Sequence, residues 1–188
     1  MDLSSKMFLY AAHFNGEHRE LYFNNIKNKN AAFWMEENVP LFECDDEVIE
    51  ETYHFRFWTF RKHIKDAASK TVISSFLPEG NSFEDNILTP AVAHHVNEGR
   101  WLADKEIIES DIRYLLTEAV REKLAGVSSS FIASVCDYIL FSGNFEFFKE
   151  ISGALDKLYE AVEAKSMTEY GLFRSDDRDD GMPGSISG

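Results

Sequence analysis

Tyr53-His54-Phe55-Arg56-Phe57-Trp58-Thr59-Phe60-Arg61-Lys62-His63-Ile64 interleaves five aromatic rings with two arginines, a lysine and two histidines. Asp45-Asp46-Glu47 just upstream supplies a capping residue and acidic first-turn groups, so a helix is expected from Glu47 to about Ile64. An ordinary surface helix has one apolar stripe and one charged face. Here rings and cations share the same turns. Two arrangements satisfy that pattern: a core helix whose cations snorkel outward, or a wall lining a polar cleft. Val48, Ile49, Thr52, Tyr53, Phe57, Trp58 and Phe60 spread over more than one face, so burial on two sides is expected.

Outward from this helix the pattern stays helical. Upstream, Met7 to Phe14 reads as a short helix or extended arm broken at Asn15-Gly16, and Asn24 to Asn30 as a loop. Ala32-Phe33-Trp34-Met35-Glu36-Glu37 favours a helix ending before Pro40. Downstream, Lys65 to Lys70 is a charged turn, Thr71 to Leu77 the one extended stretch, and Glu79 to Thr89 a loop. Further helices are expected from Pro90 to Arg100 or Leu102, from Lys105 to Leu124, from Phe131 to Phe141 and from Phe145 to Ala164. In the second of these, Ile108, Ile112, Leu115, Leu116, Ala119 and Leu124 form the apolar stripe. The fold class is therefore all-α, built from antiparallel helix pairs joined by short loops.

With 188 residues, 44% of them hydrophobic, the chain is long enough for one substantial core. A net charge of -14 does not supply a phosphate-neutralising surface, so nucleic acid is not an expected partner. No apolar run approaches the roughly 20 residues that span a bilayer, and the N-terminus lacks the long apolar stretch of a signal peptide. No membrane partner is expected, and a cytoplasmic location is. Cys44 and Cys136 stand alone, which favours buried reduced thiols over a disulfide or zinc site. From Tyr170 to Gly188 the sequence is acidic, then small and polar, and composition alone reads it as a disordered tail.

Several chemistries are excluded by spacing. With Gly181 in the sixth position of a calcium loop, Arg178 would be third and Ser187 twelfth, where a ligand and the bidentate glutamate belong. Adjacent His94 and His95 point about 100° apart on a helix and do not grip one metal as an i, i+4 pair does. No metal or cofactor is expected, and nucleophile-elbow, Walker and dinucleotide motifs are missing from the sequence. What remains is carboxylates beside aromatic rings and cations. Sugar sites need that mixture, because hydroxyls take hydrogen bonds from charged planar groups while the apolar ring face rests on an aromatic side chain.

Four blocks carry a more specific resemblance: Glu36-Glu37-Asn38-Val39-Pro40-Leu41-Phe42-Glu43-Cys44; Tyr53 to Ile64; His94-His95 with Glu98-Gly99-Arg100-Trp101-Leu102; and Gly171-Leu172-Phe173 with Asp176-Asp177-Arg178-Asp179. In order and spacing the chain from about Phe33 to its end resembles the N-terminal part of bacterial six-hairpin glycosidases related to mannosylglycerate hydrolase and glycoside hydrolase family 63. The resemblance implies a partial α/α toroid whose inner helices surround a sugar pocket, with no cofactor. Arg56, Trp58, Arg61 and Lys62 would lie on an inner wall, and His94, His95, Glu98, Arg100 and Trp101 on the next inner element. Asp177 and Arg178 would belong to a loop at the pocket mouth, where such enzymes place the general acid, which replaces the reading of this segment as a tail.

Two departures matter. The acid expected after Gly181-Met182 is replaced by Pro183, which leaves Asp179 and Asp180 as the candidate catalytic residues. The partner carboxylate that two-carboxylate hydrolysis requires would lie beyond Gly188. The chain is thus expected to divide into an arm (1–30), a helical part of a toroid (31–170) and an acidic loop-like tail (171–188). It reads as a fragment of an inverting glycoside hydrolase, inactive alone and prone to self-associate through exposed inner helices. A helical binding or scaffold domain without catalysis is the competing reading.

Overall fold

The computed structural model describes residues 3–20, 25–67, 70–73, 87–124 and 130–174. They form helices α1 (Leu3–Glu17), α2 (Ala31–Asn38), α3 (Glu47–His63), α4 (Val92–Gly99), α5 (Glu106–Leu115), α6 (Glu118–Leu124), α7 (Ser130–Ser142) and α8 (Phe145–Ser166). Short 3-10 turns precede α2 at Asn28–Asn30 and α4 at Thr89–Ala91. The fold is all-α, and the sheet among the described residues is a single hairpin, β1 (Ile64–Ala67) with β2 (Lys70–Ile73).

Helix α3 starts as its sequence dictates. The Asp46 carboxylate accepts from the backbone N–H of Val48 and Ile49, a cap that stabilises a helix by about 1 kcal/mol. Because each residue turns the helix by about 100°, Tyr53, Phe57 and Phe60 fall on one stripe and Glu50, His54, Trp58 and Arg61 on another. The second stripe packs on α1. Tyr10 stacks on His54 at 4.4 Å, Phe14 lies 5.8 Å from Trp58, and the Trp58 indole N–H donates to Asn15 Oδ1 at 3.0 Å. At its start, Glu50 accepts from Lys6 Nζ, Tyr10 OH and Cys44 N. The Lys6 hydrogen bond, then those from Tyr10 and Cys44, hold the Glu50 carboxyl down to about 2. The segment expected as an arm thus contributes Met7, Ala11 and Phe14 to the core.

The hairpin was half legible. Thr71 to Ile73 is extended as expected, whereas Ile64 to Ala67, read as the end of a helix and a charged turn, is its partner strand. The outer edge of β2 is finished by side chains of α5: Ser110 Oγ accepts from Thr71 N and Asp111 Oδ1 from Ile73 N, both at 2.9 Å. Neither contact is visible locally. Asp111 is 1% exposed, and its Oδ2 has no hydrogen-bond partner among the described residues. Burial raises its pKa to about 7, against the smaller lowering effect of the Ile73 N–H.

The helix expected from Lys105 to Leu124 is two. Thr117 interrupts it: its hydroxyl donates to Tyr114 O at 2.7 Å, and its carbonyl accepts from Arg121 N at 2.8 Å, starting α6. A polar network ties α5 to the last pair: Glu109 Oε1 accepts from Tyr138 OH and Asn144 Nδ2, each at 2.8 Å, and Arg113 is bound to Glu150 at 2.7 Å. Two expectations of burial are corrected. Val48 and Ile49 are exposed, while Glu50 of the same turn is the residue that α1 covers, and both cysteines are free but not buried, Cys44 being half-buried and Cys136 exposed.

Gly99 sets the distance between α4 and its neighbours. A Cβ there would overlap the Ile108 side chain and lie 3.1 Å from Phe60 Cζ, so only hydrogen fits. Gly99→Ala is expected to destabilise by about 1–3 kcal/mol through overpacking, whereas Gly153→Ala, with open space around it, stabilises by up to about 1 kcal/mol. Chemical denaturation of the two variants checks the order; equal or reversed effects contradict it. Asp111 has a pH signature as well. A folded-state pKa raised from 3.8 to about 7 means its contribution is fully present below about pH 4 and lost as pH rises through 7. The stability difference between Asp111→Asn and the parent is therefore expected to shift in favour of asparagine between pH 4 and 8, read from denaturation midpoints across that range.

Candidate functional site

The first stripe of α3 faces α4. On α4 and the turn after it, His94, Asn97, Glu98 and Trp101 follow the i, i+3, i+4, i+7 spacing of a single helical face. Between the two stripes lies an open cavity of about 410 Å³, floored by Tyr53, Phe57 and Phe60 and walled by Arg56, His94, Asn97, Glu98 and Trp101. The helices are held there by contacts behind the site: Tyr53 OH donates to Pro40 O at 2.8 Å, and Asn97 Nδ2 to Ser134 Oγ at 3.1 Å.

Across the cavity the Arg56 guanidinium donates to Glu98 Oε1 from Nε at 3.0 Å and from the terminal nitrogen at 2.6 Å. With the Arg56 side chain more than half exposed, the pair contributes well under about 1 kcal/mol to stability. Its importance is chemical: hydrogen-bond donors and acceptors stand side by side at the rim of an aromatic floor. Trp101 is 45% exposed. It is fixed by an edge contact with Phe141 at 4.7 Å and by the Arg100 guanidinium 5.2 Å from its ring. Lys105 holds that turn closed by donating to the carbonyls of Arg100 and Leu102.

His95 points away from His94, toward His63 at 6.4 Å between ring centres. Burial, then His63, His94 and Arg56, depress its pKa to about 4. Its Nδ1 has no partner among the described residues.

Of the candidate substrate-binding residues, Arg56, His94, Glu98 and Trp101 come together, with Arg100 beside them and His95 behind. Trp58, Arg61 and Lys62 do not join them. They occupy the opposite stripe, where Arg61 donates to Ile26 O and Asn28 Oδ1, both at 2.6 Å, and Lys62 Nζ sits 3.7 Å above the Trp58 ring. Burial lowers Lys62 to about 8, with Arg61 acting in the same direction. The physical reason is periodicity: positions 58, 61 and 62 lie on the face turned toward α1 and the Ile26–Asn28 segment. Asp177, Arg178, Asp179 and Asp180 lie outside the described residues. Tyr53, Phe57, Phe60 and Asn97 were missed as lining, although projecting the two helices onto wheels places them on the stripes of Arg56 and Glu98.

A second groove, about 250 Å³ and wholly apolar, runs between α7 and α8 past Cys136, Leu140, Phe145 and Phe148. Among the described residues, no cluster of three or more histidine, cysteine or acidic groups is arranged to hold a metal, and no helix is long and apolar enough to cross a membrane.

No family model and no curated protein matches the sequence. A solved structure described as a sialidase does match, at 31% identity and a TM-score of 0.91, over 98% of this chain. This chain spans 18% of that one's length. It is therefore similar in fold and sequence to a segment of a much longer, glycoside-hydrolase-like protein.

The environment of His95 makes a direct prediction. Its imidazole is expected to remain neutral from pH 8 to pH 5 and to titrate near pH 4, as followed by the ring-carbon NMR shifts; a midpoint above 6 contradicts the buried setting.

Proposed function

We propose that the chain is part of an inverting glycoside hydrolase with an α/α-toroid architecture, and that the cavity between α3 and α4 is one wall of its carbohydrate pocket. The observation that carries the reading is the pairing of the half-exposed Trp101, over an aromatic floor, with the Arg56–Glu98 ion pair at the rim. A sugar ring needs both: an apolar face to cover its C–H groups and planar charged groups to bond its hydroxyls. The similarity to a segment of a protein described as a sialidase supports the same class.

Within this reading Tyr53, Arg56, His94, Asn97, Glu98 and Trp101 bind and orient, and Arg100 and His95 position the helix that carries them. Trp58, Arg61 and Lys62 support the wall from behind. Asp179 and Asp180 remain the candidates for proton donation by sequence alone. No two described carboxylates flank the cavity, so hydrolysis by a carboxylate pair is not assembled from the described residues. The α7–α8 groove, with Leu140 74% exposed, is a surface of the sort that a further helix covers in a complete toroid.

The chain by itself is expected to release no chromophore from aryl glycosides above the buffer rate, yet to bind simple methyl glycosides weakly. Trp101→Ala is expected to weaken that binding by up to about tenfold. Isothermal titration checks the affinity, and turnover by the isolated chain contradicts the proposal.

A further inference from the structure

We infer that this cavity selects an uncharged sugar ring and turns away an acidic one, an inference that rests on the carbohydrate reading above. The argument begins with charge at the lining. Arg56 and Glu98 are its two fully ionic groups, and they already neutralise each other through two hydrogen bonds to one carboxylate oxygen. The remaining polar groups are the Asn97 amide, the His94 imidazole and the Tyr53 hydroxyl, the last already bonded to Pro40.

An acidic sugar brings a carboxylate, which only accepts hydrogen bonds. A carboxylate that accepts from the N–H groups of Arg56 left over by Glu98 lies beside the Glu98 carboxylate on the same guanidinium, and the two like charges repel. A hydroxyl faces no such conflict, because it donates to a carboxylate and accepts from a guanidinium at the same time. Arg56 keeps unspent N–H donors after binding Glu98, since a guanidinium carries five. The surroundings push in the same direction. The whole chain has a net charge of -14.

Matched methyl glycoside and methyl uronate pairs of the gluco, galacto and manno series differ only at C6, where CH2OH is replaced by a carboxylate. Titrating them at pH 8, above the usual imidazole range, and following the Trp101 indole by NMR reads both affinity and location. The expected result is that at least one neutral glycoside binds about tenfold or more tighter than its uronate. In Glu98→Gln, where Arg56 is no longer neutralised, the uronate gains about tenfold and the preference collapses. A uronate that binds the parent as tightly as its neutral twin overturns the inference while leaving a carbohydrate site in place. No Trp101 response to any compound overturns the carbohydrate reading and the inference with it.

If Glu98→Gln does not fold, salt decides. Screening shortens the reach of exposed charges to about 3 Å at 1 M, so raising ionic strength from low salt to that level must shrink the neutral-over-acid preference of the parent. A preference unmoved by salt overturns the electrostatic origin.

Discussion

An α-helix turns about 100° per residue, and α3 is buried on two sides, so neighbouring residues in its sequence belong to different parts of the molecule. Tyr53 looks into the cavity, while His54 stacks under Tyr10 of α1. Arg56 reaches across to Glu98, while Arg61 is 0% exposed and binds the Ile26–Asn28 segment. The structure depends on this division. One face secures the helix in the fold and leaves the other available for chemistry.

The available face is shaped by restraints that lie outside it. Gly99 lets α4 approach Ile108 and Phe60 closely, which sets the width of the cavity. Arg100 and Phe141 orient Trp101 from behind, and Asn97 is tied through Ser134 to α7. On the far side of α5, Ser110 and Asp111 hold the hairpin that continues directly from α3. A rigid frame of this kind spares a ligand the ordering cost that loops would impose.

Much of the helical order was legible because it is written locally. Asp46 before an aromatic-rich run, Pro40 after α2, Gly143-Asn144 between α7 and α8, and the Ile108–Ile112–Leu115 stripe each carry their own signal. What was not legible depends on partners distant in sequence. Ile64-Lys65-Asp66-Ala67 becomes a strand because β2 pairs with it, and β2 is in turn held by the α5 side chains. The helix α1 runs through Asn15-Gly16 to Glu17 because the Asn15 amide is engaged by Trp58 and the Asn28 carbonyl. The same limit governed the site. The 53–64 stretch announced rings and cations together, but deciding which of them meet required knowing that α4 lies on one side and α1 on the other.

The most direct test follows the three tryptophan indole resonances while a binding sugar is added. Trp101 lines the cavity, Trp58 is locked to Asn15 on the opposite face of α3, and Trp34 lies in the core beside α1. The two-faced account requires Trp101 to shift and the Trp58 and Trp34 indoles to stay in place. A shift centred on Trp58 with Trp101 unmoved would put the binding face on the wrong side of the helix and contradict it.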